Sequence, residues 1–273
     1  MMDVMERMAV QEEIEKEASS FWESFFNEVV YHNRFNPNHP IVEFLRDSLQ
    51  QHISIIRAGT ILYRARVIDY FSSGAESTGF IKFIHNEDCG SYEGYDEQNS
   101  FVPPAKFVNA GRANPERIVY LYAAKEIITA IGETRPRIFD HISVAKIEIQ
   151  QDLRLADFTI VEEEKEPSLN TAKLMEIEHA FSKPCREAID YIPTQYIAEY
   201  VKTLGYDGIA FRSSYVPGGT NITLFNPEVA KAIASAPYKM DSIIYRARRI
   251  FPLKHLDTFD IIATNQKRNP KDP

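Results

Sequence analysis

The stretch 111–136, GRANPERIVYLYAAKEIITAIGETRP, most constrains the fold, because it places a turn, a strand and a short helix directly before one carboxylate. Asn114-Pro115 indicates a turn, and the apolar, β-branched and aromatic run 118–122 is typical of a strand. From Ala124 onward the spacing of apolar residues becomes helical. The local order is therefore a turn, a strand and a short helix.

The predicted helix ends at the carboxylate of Glu133. Ile127, Ile128 and Ile131 recur at helical spacing, which predicts that the helix packs through this isoleucine face. Gly132 weakens the last turn, so Glu133 is expected where the helix ends. A solvated glutamate at a helix end is a common structural feature, since Glu is mostly an exposed residue. The local pattern alone therefore leaves a structural and a catalytic interpretation open.

The composition describes a globular chain and limits its partners. The chain has 273 residues, of which 44% are hydrophobic and 12% aromatic, enough for one large core or two small ones. It carries 39 acidic against 31 basic residues, a formal charge of −8. This balance argues against direct nucleic-acid binding through a broad basic surface. A polyanionic small molecule would need a local arginine cluster.

The two cysteines, Cys89 and Cys185, have no pairing motif and no metal-ligand spacing with histidine. Both are interpreted as free thiols, and the sequence predicts no metal site. The acidic N-terminal residues contain no apolar signal region, and no apolar run has the length of a membrane span. A cytoplasmic location without membrane association is expected.

Helical patterns precede the first strand. Residues 1–30 alternate acids with apolar and aromatic side chains, which predicts an amphipathic helix that packs on the main body or on a partner. A second helix is expected from Val42 through Ile56, ending near Gly59. Neither segment contains a pattern typical of catalysis.

The run ILYRARVI at 61–68 alternates as a strand and places Arg64 and Arg66 on the same face. Two arginines on one face are compatible with an anion site, and solvated or salt-bridged arginines on an edge strand are equally compatible with the spacing. The following segment, 72–110, is rich in Gly, Ser, Asn and acids, and is expected to form an irregular loop.

The second half of the chain alternates strands with helices. Strands are predicted at 142–149 and 153–161, and helices at 169–181 and 193–204. The segment 206–227 is expected to form two neighbouring strands around the Gly218-Gly219 turn. The polar residues at the rim of this pair are Ser213, Ser214 and Asn221.

The order of these motifs resembles the RES-domain family, which is named for an arginine, a glutamate and a serine. The motifs are YRAR, then GRANP with LYAA and ITAIGETRP, then PTQYIAEYVKTLGYDGIAFRSS and NITLF. The resemblance covers about 58–227. It implies a division into an N-terminal helical region 1–57, an NAD-binding catalytic domain 58–227 and a C-terminal extension 228–273.

What the resemblance implies is an α+β fold with an ADP-ribosyltransferase-like core of short β-strands flanked by helices, preceded by the N-terminal helical segment. The family arginine falls on Arg64 in YRAR, the glutamate on Glu133 in GETRP and the serine on Ser213 in FRSS. The adjacent Ser214 is the other candidate for the family serine.

The residue types suit the chemistry of NAD. Cleavage of the nicotinamide–ribose bond passes through an oxocarbenium-like state, which the carboxylate of Glu133 can stabilise. A guanidinium binds a diphosphate through two charge-assisted hydrogen bonds, and tyrosines can stack on the bases, although a buried strand tyrosine is more often a core residue. The expected NAD-binding set is Tyr63, Arg64, Arg66, Arg112, Tyr122, Ser213, Ser214 and Asn221.

The resemblance implies a toxin or defence effector that consumes NAD as its substrate by hydrolysis or phosphorolysis, with no cofactor. Transfer of ADP-ribose to a protein acceptor is the close alternative, and a non-catalytic nucleotide-binding or scaffolding protein is the alternative from a different class. No Glu-x-Glu pair occurs at Glu133, which favours NAD breakdown over transfer. The expected partners are an antitoxin or regulatory protein and further copies of the chain in a homo-oligomer.

Overall fold

The computed structural model describes residues 4–68, 82–86, 90–159, 168–185 and 187–244. The described residues up to Asp241 belong to one compact unit, and residues 242–244 lie outside it. The α-helices are α1 (Val4–Asn27), α2 (Ile41–Ser48), α3 (Glu97–Ser100), α4 (Ile127–Glu133), α5 (Leu169–Ser182) and α6 (Ile192–Thr203). The strands are β1 (Ile53–Ile56), β2 (Ile61–Val67), β3 (Lys82–Asn86), β4 (Gly90–Gly94), β5 (Leu121–Ala124), β6 (His141–Ile149), β7 (Leu153–Asp157), β8 (Gly208–Arg212), β9 (Thr220–Leu224) and β10 (Ala230–Lys239).

Within the described residues, eight strands form one sheet in the order β1-β7-β8-β9-β5-β2-β6-β10. β7 pairs with β8 in parallel, and the other neighbours in the sheet are antiparallel. β3 and β4 form a separate antiparallel hairpin. The α+β class, with strands flanked by helices and an N-terminal helix, is confirmed.

Helices α1, α2, α5 and α6 pack together in one buried cluster that includes residues of β7 and β8. Phe25 and Val29, at and just after the end of α1, are fully buried in a cluster that includes Ile197 of α6 and Ile209 and Phe211 of β8. The expectation that the N-terminal helix packs on the main body is therefore confirmed. A second buried cluster is formed mainly by strand residues. It includes Ala210, whereas Ile209 and Phe211 belong to the first cluster, because successive side chains of a strand point to opposite faces of the sheet.

The second helix is shorter than expected. α2 ends at Ser48, and Ile53–Ile56 form β1, in which Ile53 pairs with Ala156 of β7. The prediction of one helix from Val42 to Ile56 was wrong, because its β-branched end completes the edge of the sheet.

The region after β2 is more regular than expected. The predicted irregular loop 72–110 contains the hairpin of β3 and β4 and the short helix α3. Residues 72–81 and 87–89 of that prediction lie outside the described residues. The antiparallel pairing runs from Lys82 opposite Gly94 to Asn86 opposite Gly90.

The central stretch differs in register from the prediction. The strand expected at 118–122 is β5, Leu121–Ala124, and α4 does not pack through all its isoleucines. Ile128 is 61% exposed, whereas Thr129 and Ala130 are buried beside Ile131. The buried face includes small residues where α4 lies close to the turn after β8, since Gly132 lies beside Val216 and Thr129 lies beside Gly219.

The last strand, β10, was not predicted. It pairs antiparallel with β6 from Ala230 opposite Ile149 to Lys239 opposite His141. Pro237, which cannot donate to a ladder, is tolerated because β10 is at the edge of the sheet. The boundaries of the predicted regions 1–57, 58–227 and 228–273 stay predictions.

Candidate active site

Four adjacent strands and the end of α4 bring the candidate residues together. Tyr63 of β2 pairs with Ala124 of β5, and Ala124 pairs with Asn221 of β9. Asn221 also pairs with Phe211 of β8. A cavity of about 260 Å³ opens over these strands, and its lining includes Tyr63, Arg64, Arg112, Tyr122, Glu133 and Asn221.

Two side chains hold one oxygen of Glu133. The Ser213 hydroxyl and the Asn221 side-chain amide each donate to Oε1 of Glu133 at 2.7 Å. Within the described parts of the chain, neither donates to Oε2, and no other residue does. Glu133 lies at the C-terminal end of α4, where the helix dipole disfavours a negative charge, so the two donors offset this cost. One oxygen of the carboxylate is fixed and the other is available to a ligand.

The orientation of the Ser213 hydroxyl is fully determined. The backbone N–H groups of Tyr215 and Val216 each donate to Oγ of Ser213 at 3.1 Å. A hydroxyl has one hydrogen to donate and two lone pairs to accept. Because both lone pairs are occupied by N–H groups, the hydrogen is directed to Glu133.

Arg64 lines the cavity and is positively charged. Its Nη1 donates to the carbonyl of Tyr122 at 2.9 Å, while its buried Nε finds no hydrogen-bond partner among the described residues. Burial, together with the neighbouring charge of Arg66, lowers the pKa of Arg64 to about 10. The guanidinium is therefore charged near neutral pH, and its buried Nε lacks a hydrogen-bond partner in the described structure.

Arg112 lies on another part of the cavity wall. Its Nη1 donates to the carbonyls of Phe181 and Lys183, where α5 ends. A cation at the C-terminal end of a helix stabilises its unpaired carbonyls. Arg112 therefore has a structural role at α5 in addition to its position at the cavity.

Tyr122 is held through its hydroxyl. It donates to Oδ1 of Asn114 at 2.7 Å and accepts from the backbone N–H of Ala113 at 2.9 Å. Burial raises the pKa of Tyr122 to about 12, so the phenol is neutral at physiological pH. Tyr122 lines the cavity, whereas its hydroxyl already has hydrogen-bond partners in Asn114 and Ala113.

Three of the predicted residues, Arg66, Ser213 and Ser214, are not among those that line the cavity. Arg66 donates to the carbonyl of Asn99, and its guanidinium lies 4.5 Å from the centroid of the Tyr95 ring. Ser214 donates to the carbonyl of Ser182. Of the two serines considered for the family position, Ser213 is therefore the one that contacts Glu133.

Several residues of the site were not predicted. Phe211 and Thr134 line the cavity, and Asn114, whose side-chain amide donates to the carbonyls of Asn109, Pro115 and Ile118, organises the turn beside it. The Asn114-Pro115 pair indicates a turn in the sequence, but its contact with Tyr122 depends on the path of the chain.

Three further features of the described residues bear on metal binding, membrane-spanning helices and thiol chemistry. The described ranges contain no group of three or more His, Cys, Asp or Glu residues placed to hold a metal ion. None of the helices described has the length and apolar character needed to cross a membrane. Cys185 is a free thiol whose pKa is raised by burial, which is consistent with an unreactive side chain.

Comparison with known proteins gives one family. The model of the family described as the RES domain matches residues 91–244. The solved structures to which the chain is similar include the M. tuberculosis MbcT-MbcA toxin-antitoxin complex, where the alignment covers 72% of this chain and 92% of that chain at 13% identity, with a TM-score of 0.37. No curated protein sequence matches the chain.

Proposed function

The chain belongs to the RES-domain family, and on that premise we propose that it is an enzyme that consumes NAD by cleaving the nicotinamide–ribose bond. The observation that carries this proposal is the asymmetric environment of Glu133. Its Oε1 accepts hydrogen bonds from Ser213 and Asn221, and its Oε2 receives none from the described residues. A carboxylate oriented in this way at a cavity wall suits the stabilisation of a developing cation.

The proposed reaction begins when the bond between the ribose C1′ carbon and the nicotinamide nitrogen breaks. Nicotinamide leaves with the bonding electron pair, and the ribose acquires oxocarbenium character that Oε2 of Glu133 stabilises. An oxygen of water or of inorganic phosphate then bonds to C1′. The attacking water releases one proton, and the product is ADP-ribose or its 1″-phosphate.

The cationic wall of the cavity supports a dinucleotide substrate. Arg64 and Arg112 both line the cavity, and Nε of Arg64 is a buried donor that lacks a partner in the described structure. In this proposal the positive charges of Arg64 and Arg112 attract the NAD diphosphate to this wall. Tyr63 and Tyr122 present aromatic side chains to the same space, where a nicotinamide ring would lie.

Depletion of NAD stops metabolism, so the proposed biological role is that of a toxin or defence effector acting in the cytoplasm. Such an enzyme needs a partner that blocks it in the cell that makes it, and an antitoxin or regulatory protein is the proposed partner. NAD is the substrate in this proposal, and no cofactor takes part. A homo-oligomeric state remains a proposal.

The test is incubation of the purified protein with NAD, with and without inorganic phosphate, followed by chromatography of the products. Nicotinamide with ADP-ribose identifies hydrolysis, and a phosphate-dependent ADP-ribose 1″-phosphate identifies phosphorolysis. Glu133→Gln is the matched inactive control. Binding of NAD in calorimetry without release of nicotinamide would overturn the enzymatic proposal, and incorporation of labelled ADP-ribose into an added protein would replace it with a transferase.

A further inference from the structure

The turn that carries Arg112 is held by the first turn of α6. The Thr194 hydroxyl donates to the carbonyl of Arg112 at 2.6 Å. The side-chain amide nitrogen of Gln195 donates to the carbonyl of Gly111 at 2.8 Å and to that of Asn114 at 3.0 Å. Three carbonyls of this four-residue turn therefore accept from two neighbouring side chains 80 or more residues further along the chain.

The turn also closes on itself and on β5. The N–H of Gly111 donates to the carbonyl of Asn114 at 2.9 Å, and the N–H of Ala113 donates to the hydroxyl of Tyr122. A Cβ atom on Gly111 would lie 2.5 Å from Oδ1 of Asn114, so there is no room for a larger residue. With the turn in this conformation, Arg112 and Tyr122 both line the cavity.

We propose that Gln195 is a positioning residue for NAD binding, which fixes the Gly111–Asn114 turn and thereby holds Arg112 at the cavity wall. Gln195 does not line the cavity itself; it acts through the backbone of the turn. Both hydrogens of its amide nitrogen are engaged, so a side chain without donors leaves the carbonyl of Gly111 without this partner and removes one of the two donors to the carbonyl of Asn114. This inference rests on the proposed NAD-consuming function.

The test substitutes Gln195→Met, which keeps an unbranched side chain of similar length and removes both donors. The expected result is a KM for NAD raised about tenfold, as two lost hydrogen bonds imply, with kcat within about twofold of the unsubstituted protein. Gln150→Met is the matched control, since Gln150 is exposed and its amide donates within its own turn to Glu148. An unchanged KM in Gln195→Met, or an equal rise in Gln150→Met, overturns the proposal.

A double-mutant cycle separates positioning from general destabilisation. If Gln195 acts through Arg112, Gln195→Met should raise the KM of an Arg112→Ala variant only slightly. If the two residues act independently, the free-energy effects of the two substitutions should be additive.

Hydrogen exchange gives a readout that does not need NAD. Gln195→Met should accelerate exchange at the backbone amides of Gly111 and Ala113 and leave the amides of α6 protected. Unchanged exchange at the turn refutes the positioning role even in a protein that does not consume NAD. A turn that is loosened in a protein with no NAD turnover refutes the proposed function alone.

Discussion

A Cβ atom on Gly132 would lie 2.7 Å from Cγ2 of Val216. The last turn of α4 and the turn that follows β8 therefore contact each other directly, with no side chain on the helix between them. This contact brings Glu133 to the Ser213 hydroxyl, although the two residues are 80 positions apart. The close approach of the Gly132 backbone to the Val216 side chain thus places the carboxylate beside the turn after β8.

Gly132→Ala should lower kcat for NAD cleavage by about tenfold or more, because a small displacement of a reacting group is costly. The added methyl group collides with Val216 and pushes the two turns apart. Nicotinamide release measures the effect. The double variant Gly132→Ala/Val216→Ala removes Cγ2 and should recover much of the activity. Failure of this rescue, with a folded protein, would show that the helix end tolerates the methyl group by another route.

Glu133→Gln should reduce kcat by about a hundredfold or more, since the amide cannot stabilise a developing positive charge as a carboxylate does. The fold should be retained, because the side-chain oxygen of glutamine still accepts from Ser213 and Asn221. Turnover and melting temperature are measured on the same preparation. Turnover close to that of the unsubstituted protein would remove Glu133 from the mechanism.

Ser213→Ala should lower kcat about tenfold, since it releases Glu133 and leaves the N–H groups of Tyr215 and Val216 without an acceptor. Ser214→Ala is the matched control, because the Ser214 hydroxyl binds the carbonyl of Ser182 and does not contact Glu133. Steady-state kinetics on both variants decide which serine is functional. Equal losses would mean that the contact with Glu133 has no special role.

Arg64→Met should weaken NAD binding at least about tenfold, through the loss of charge-assisted hydrogen bonds. It should leave the melting temperature unchanged or raise it, because burial disfavours the charge of Arg64 and lowers its pKa to about 10. Calorimetry and thermal denaturation measure the two effects. Arg66→Met is the control, since Arg66 binds the carbonyl of Asn99 and does not line the cavity. A stable Arg64→Met protein with unchanged affinity would exclude Arg64 as a diphosphate ligand.

The sequence predicts much of this arrangement where the signal is local. The strand with Arg64, the helix that ends at Glu133 and the paired strands around Gly218-Gly219 follow from periodicity and turn residues. The selection of Arg64, Glu133 and Ser213 came from a family resemblance, and their roles stay predictions. No local signal links Glu133 to Asn221, because that contact depends on β9 lying beside β5.

The errors also have physical causes. β10 is rich in alanine and lysine, which have low strand propensity, and its conformation depends on its pairing with β6. β1 continues a helical pattern in the sequence, but its β-branched residues pair with β7. In both edge strands tertiary pairing overrides the local preference.

The distance along the chain between Glu133 and its donors also sets an order of events during synthesis. Ser213 and Asn221 emerge 80 and 88 residues after Glu133, so a growing chain carries the carboxylate long before either donor exists. A translation product that stops before Ser213 has an unsupported glutamate at the end of a helix. The proposed toxic activity is therefore delayed until nearly the whole sheet has been made, and incomplete chains should be harmless to the cell that makes them.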